Sequence, residues 1–164
     1  MVEIDGSYGE GGGQILRTAL AFSAILKIPI RVKKVRASRK KPGLGNQHLA
    51  AVNALARISS AIIEGNNIGS QTLTFIPQEI RPGDYEFKIG TAGSVTLLLQ
   101  AIFLPLCLAQ GDSTLTLVGG THVPWSPPFH YFSQVLLPTL KPMGVSADAL
   151  IESWGARPRS ISRG

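Results

Sequence analysis

The sequence has a single cysteine, Cys107, so it forms neither an intramolecular disulfide nor a multi-cysteine zinc site, which favours a reducing compartment. It also lacks an apolar run of membrane length. The most apolar stretch, residues 95–109, is interrupted by Thr96, Gln100 and Pro105, whereas a membrane span needs roughly 20 apolar residues. The opening MVEIDGSYGEG has neither the basic segment nor the apolar segment of a secretory signal, so the expected location is cytoplasmic. Charged residues are scarce at 16% against 44% hydrophobic, which excludes intrinsic disorder as the main description. The most informative shortage is local. Between residues 11 and 63 there is no Asp or Glu, yet Arg17, Lys27, Arg31, Lys33, Lys34, Arg36, Arg39, Lys40, Lys41 and Arg57 all fall there. The formal net charge of +6 is therefore concentrated in one window, and such a patch attracts phosphates, whether of nucleotides or of a nucleic-acid backbone.

What is present in quantity is glycine and proline, 18 and 11 residues, which promise many tight loops between ordered elements. Alternation over residues 2–5 reads as a strand, followed by a glycine loop. Ile15, Ala19, Phe22 and Leu26 form one apolar stripe of a helix ending before Pro29. Residues 28–35 read as a strand. Ala51, Leu55, Ile58 and Ile62 repeat the helical spacing, with Gly65 as the expected C-cap. The β-rich runs 71–76 and 84–89, joined by PQEIRPG, read as a hairpin. A helix over 93–109, a strand over 113–118, a helix over 128–140 and a strand over 145–151 follow. The expectation is an α/β (α+β) chain of repeated βαβαββ units: a first over 1–90, an incomplete second over 91–154, and an irregular tail over 155–164.

Several constellations point to phosphate chemistry. GEGGGQILRT at positions 9–18 is a glycine loop opening onto a helix, whose backbone N–H groups and positive end make an anion site. It matches neither the P-loop spacing nor the dinucleotide fingerprint. Glu10 lies on the loop, and Gln14 and Arg17 share a helix face expected opposite the apolar stripe. A carboxylate beside an arginine here either holds a divalent metal or makes an ion pair; spacing does not separate these. Arg36 and Arg39 stand on the loop RASRKKPGLGNQH and read as ligand contacts, whereas Lys27, Lys33 and Lys34 read as a solvated basic face. Gln47 and His48 start the second helix, with His48 read as a cap or surface group. Gln100, amid Leu97 to Phe103, is expected to be buried and partnered, since an unpaired buried amide costs about 1–3 kcal/mol. In the rigid loop GGTHVPWSPP, Trp125 or Pro127 reads as a wall for a base, or Trp125 as core packing. His48, His122 and His130 lack metal-ligand spacing.

Taken together, DGSYGEGGGQILRTALAFS, RASRKKPGLGNQHLAAV, GTAGSVTLLLQA and GGTHVPWSPPFHYF resemble, in order and separation, the signature blocks of the RNA 3′-terminal phosphate cyclase family over roughly residues 1–155. The resemblance implies repeated βαβαββ units. It also implies ATP-dependent conversion of an RNA 3′-phosphate to a 2′,3′-cyclic phosphate through protein and RNA adenylates, with Mg2+ or Mn2+ assisting. By block matching, Glu10 corresponds to the metal-side carboxylate; Gln14, Arg17, Arg36, Arg39 and Gln47 to phosphate and RNA-end contacts; Gln100 to a nucleotide contact; and Pro127 to a wall around adenine. Ser38 stands where the family usually has glycine. After Trp154-Gly155 the pattern breaks, and the family's nucleophilic histidine belongs to a half that this sequence does not contain. The resemblance thus implies an amino-terminal portion that keeps the nucleotide and RNA-end surface, cut before the nucleophile, with self-association through an exposed sheet edge. The alternatives are a non-catalytic RNA-binding or ribosome-assembly relative, and an enolpyruvyl transferase cousin of the same architecture.

Overall fold

A computed structural model of the chain describes residues 1–90 and 93–154; the tail expected over 155–164 lies outside the described residues. The elements run β1 (Val2–Asp5), α1 (Gly13–Leu26), β2 (Ile30–Lys33), α2 (Asn46–Ile58), β3 (Ile62–Glu64), β4 (Leu73–Ile76), β5 (Asp84–Lys88), α3 (Val95–Cys107) and β6 (Thr114–Val118). A composite helical run follows: α4 (Phe129–Tyr131), a π-type turn (Phe132–Leu136), α5 (Leu137–Leu140) and a 3-10 turn (Lys141–Met143). The fold is α/β, as expected. One sheet has strand order β1-β2-β4-β3, and β5 and β6 form a second. β1 and β2 are parallel and connected through α1; β5 and β6 are parallel and connected through α3.

One contiguous core joins the layers: Leu16 and Leu20 of α1, Val32 of β2, Leu55 and Ile58 of α2, Phe75 of β4, and Leu98 and Ile102 of α3. Each large apolar side chain buried this way contributes about 1.5–3 kcal/mol. The three helices pack on one another within this cluster, so packing, more than propensity, holds them.

Four expectations need correcting. The hairpin 71–76/84–89 is not formed. β4 pairs antiparallel with β2 on one side and β3 on the other, so it has no free edge for β5, which pairs with β6 instead. The stripe ending at Ile62 overruns its helix. α2 stops at Ser59, whose hydroxyl donates to the Leu55 carbonyl at 2.6 Å, and Ile62 begins the short strand β3. Gly65 therefore caps no helix. It turns β3 into β4 at φ +80°, where a side chain would strike the Thr72 carbonyl. In α1 the buried face carries Leu16, Arg17, Leu20, Ser23 and Ala24, while Phe22 and Leu26 are exposed. The small residues face the core because neighbouring helices approach closely there, a preference that bulk alone hides. Finally, residues 145–151 form no strand: the Val145 N–H is taken by the Leu140 carbonyl at 3.3 Å, closing the helical run.

A candidate anion-binding cleft

The parallel strands β1, β2, β5 and β6 each lead from their carboxyl ends into a loop and then a helix, so four such loops lie at one side of the fold. This is where ligands collect in α/β sheets. Contacts between the loops confirm their convergence. Gly13, opening α1, lies against the His48 ring of α2, and Gly93, ahead of α3, lies against Gln47. The Thr96 hydroxyl of α3 donates to the Pro127 carbonyl at 2.7 Å, pinning the loop after β6. None of α1, α2 and α3 has an acidic residue in its first turn, so their positive ends are not neutralised locally.

Arg17 is the central group. Only 8% of it is exposed, and Nη2 donates to Gln14 Oε1 at 3.0 Å while Nε has no partner among the described residues. Burial pushes its pKa down, though a guanidinium stays charged at neutral pH. No ion pair to a carboxylate is formed by Arg17 among the described residues. The expectation that it lies opposite the packed stripe is thereby corrected: it enters the protein beside Leu16 and Leu20. Gln14 is exposed and also donates to Thr18 Oγ1 at 2.9 Å.

The basic loop supplies the facing wall. Arg36 holds the left-handed φ of +52°, a strained state for a side-chain-bearing residue, and its Nη1 donates to the Gly43 carbonyl at 2.8 Å. Burial and the neighbouring Arg39 both lower its pKa. The loop is held by Leu44, which is 1% exposed and whose N–H bonds the Ser70 carbonyl at 3.0 Å. Arg39 reaches Glu10 at 3.5 Å across the cleft mouth, but both are well exposed, so the pair is worth at most about 1 kcal/mol and leaves either free for a ligand. Lys33 and Lys34 are tied to Glu3 and Asp5 at 2.7 and 2.9 Å, and Lys27 caps α1. The uncompensated charge of the cleft thus comes from Arg17 and Arg36.

His48, read from sequence as a cap or surface group, caps α2 and also enters the cleft. Its Nδ1 accepts from the Gly45 N–H at 3.3 Å, and its pKa is lowered to about 4 by burial, then by Arg36 and Arg17. The available signal was a histidine three residues after a glycine N-cap, the place where a capping box puts Glu or Gln. Gln47 is part-buried, with Nε2 unpartnered among the described residues.

Two expectations of burial fail, that of Gln100 on α3 and the core-packing alternative for Trp125. Gln100 is exposed, so the buried-amide argument does not apply; it projects one turn beyond Thr96, on the face of α3 that anchors Pro127. Trp125 is fully exposed at φ +64° and packs on no core. Two grooves, of about 220 Å3 beside Arg57 and Phe87 and about 360 Å3 beside Arg31 and Thr74, lie away from these residues.

The sequence model of the family described as RNA 3′-terminal phosphate cyclase matches residues 8–162. The chain belongs to the RNA 3′-terminal phosphate cyclase family. It is 51% identical to an RNA 3′-terminal phosphate cyclase of Nostoc punctiforme, over 97% of this chain and 48% of that protein. It is 49% identical to the one of Archaeoglobus fulgidus, with the same coverages, and 47% identical to the one of Staphylothermus marinus, over 99% of this chain and 46% of that protein. The chain spans about half the length of the curated relatives it matches. Among the described residues of this cyclase-family chain, no helix is long and apolar enough to cross a membrane.

Proposed function

We propose that the cleft binds the 3′-phosphate end of RNA for ATP-dependent conversion to a 2′,3′-cyclic phosphate. Arg17 carries the reading: a buried arginine whose Nε has no partner and which pairs with no carboxylate among the described residues, at converging helix N-termini, calls for an anion. Gln14 orients Arg17, Arg36 and Arg39 neutralise phosphate charge, and Gln47 offers an unused buried amide donor. Cyclisation needs charge neutralisation and positioning more than a strong base. Bound ATP would supply the activating adenylyl group, with Gln100 and Pro127 as nucleotide contacts.

A divalent cation fits only in part. Glu10 is the one carboxylate of the glycine loop, and the described residues contain no cluster of three ligand-type side chains. Glu10 therefore suits Mg2+ or Mn2+ that takes its other ligands from phosphate oxygens and water. None of His48, His122 and His130 lies in the family's nucleophile motif, so the adenylate-forming step is assigned to no residue of this sequence. The division into two units belongs to the same reading, and the pairing of β5 with β6 supports a boundary ahead of Asp84 instead of at residue 90. The edges of that two-stranded sheet, unpaired among the described residues, support self-association.

The test is binding of a fluorescent oligoribonucleotide ending in 3′-phosphate against the same strand ending in 3′-hydroxyl. At least tenfold preference for the phosphate is expected, and equal affinity overturns the reading; since no residue of this sequence is assigned the adenylate-forming step, binding without cyclisation in the presence of ATP and Mg2+ is expected of this chain alone.

A further inference from the structure

His48 joins two helix N-termini through the two ends of one ring. Its backbone N–H donates to the Gly45 carbonyl at 2.9 Å, and the Gly45 N–H returns to Nδ1 at 3.3 Å. Because Nδ1 accepts, the neutral imidazole must carry its proton on Nε2. That nitrogen lies against Gly13, where an added Cβ would collide with it and would sit 3.1 Å from Arg17 Nη1. Gly13 is the first residue of α1, whose opening N–H groups lack intrahelical acceptors. Three kinds of donor therefore converge on one spot: a buried guanidinium without a carboxylate, the N–H groups of a helix start, and an imidazole Nε2–H without a hydrogen-bond partner among the described residues. The charged groups facing the ring are Arg17 from α1 and Arg36 from the basic loop, both cationic, so a second proton on the ring is disfavoured.

We propose that His48 binds the phosphate as a neutral donor through Nε2–H, in the tautomer selected by the Gly45 amide. The inference rests on the phosphate reading of the cleft and adds a ligand-contacting residue to it. A neutral donor grips an oxyanion without adding a further positive charge to a ring that already faces the cations Arg17 and Arg36. Glycine at position 13 is then required by the ring.

Long-range proton–nitrogen correlation spectra of the 164-residue chain at pH 7 are expected to show His48 protonated at Nε2 only. The Nε2 resonance should move when a 3′-phosphorylated oligonucleotide is added and not when the 3′-hydroxyl strand is. His48→Gln, whose carbonyl oxygen can accept from Gly45 while its amide donates, should stay within about threefold of wild-type affinity. His48→Ala should lose about tenfold, the worth of one hydrogen bond to a charged acceptor. An imidazolium, an Nδ1–H tautomer, an unmoved Nε2 resonance or full affinity in His48→Ala overturns the inference while leaving the cleft reading intact if wild type still prefers the phosphate. Absence of that preference in wild type overturns both. Should His48→Ala fail to fold, the wild-type spectra and His48→Gln decide.

Discussion

Replacing Arg17 by methionine removes the positive charge and the orphaned Nε donor while keeping a side chain of similar length beside Leu16 and Leu20. One unsatisfied buried donor costs about 1–3 kcal/mol, and burying an uncompensated charge costs several kcal/mol more even after relaxation. Gln14, exposed, can replace its lost bond with water. Allowing for imperfect packing of the methionine, Arg17→Met should stabilise the ligand-free chain by about 1–2 kcal/mol. For a chain of this size that is a rise in Tm of roughly 2–8 °C. With a 3′-phosphorylated oligonucleotide at a hundredfold excess over Kd, wild type should gain about 2.7 kcal/mol and Arg17→Met little, so the order of melting inverts. Scanning calorimetry with and without the oligonucleotide reads both effects. If Arg17→Met melts below wild type without ligand and keeps the full ligand-induced shift, the guanidinium is a structural group and the argument from burial is wrong.

Gly13→Ala should drive its methyl into the His48 ring, lowering stability by about 1–3 kcal/mol and removing the oligonucleotide-induced rise in Tm. The His48 imidazole, held near 4 against about 6.5 in an unfolded chain, favours folding fully above pH 6.5 and loses that contribution as pH falls toward 4, by up to roughly 3 kcal/mol. Thermal melts from pH 7.5 to 4.5 should therefore fall more steeply for wild type than for His48→Gln, and parallel profiles would sink this assignment. The Asp5 carboxyl is held well below the usual carboxylate range by hydrogen bonds from Ser7 and then Lys34, so it stabilises the fold above about pH 4 and progressively less below it. Asp5→Asn should accordingly melt lower than wild type at pH 7 and approach it in the most acid melts. Gln100→Ala should leave Tm within experimental error, because the side chain is exposed, while weakening nucleotide binding measured by calorimetric titration.

Much of the cleft was legible because its parts are local. The glycine loop opening α1, the loop carrying Arg36 and Arg39, and the absence of acids between them are properties of short segments, and backbone stereochemistry forces a Gly-rich turn ahead of a helix to present N–H groups. Convergence was not legible, since it depends on which strands are neighbours. The run 84–89 has the same β-rich composition whether it pairs with β4 or with β6, and only the saturation of both β4 edges by β2 and β3 decides between them. Burial also escaped one-dimensional reading at both key polar residues. Helical spacing puts Arg17 outward, yet it is inside, and apolar neighbours put Gln100 inside, yet it is outside. A helix face is buried by what packs on it, and α1 turns its small residues Ser23 and Ala24 inward while Phe22 and Leu26 stay out. By itself, then, the amino-acid order determined the family, the helix starts and the excess of phosphate-seeking charge. Tertiary structure alone decided that Arg17 has no carboxylate within reach among the described residues and that the His48 ring meets Gly13 of another helix, because both depend on neighbours that lie far apart along the chain.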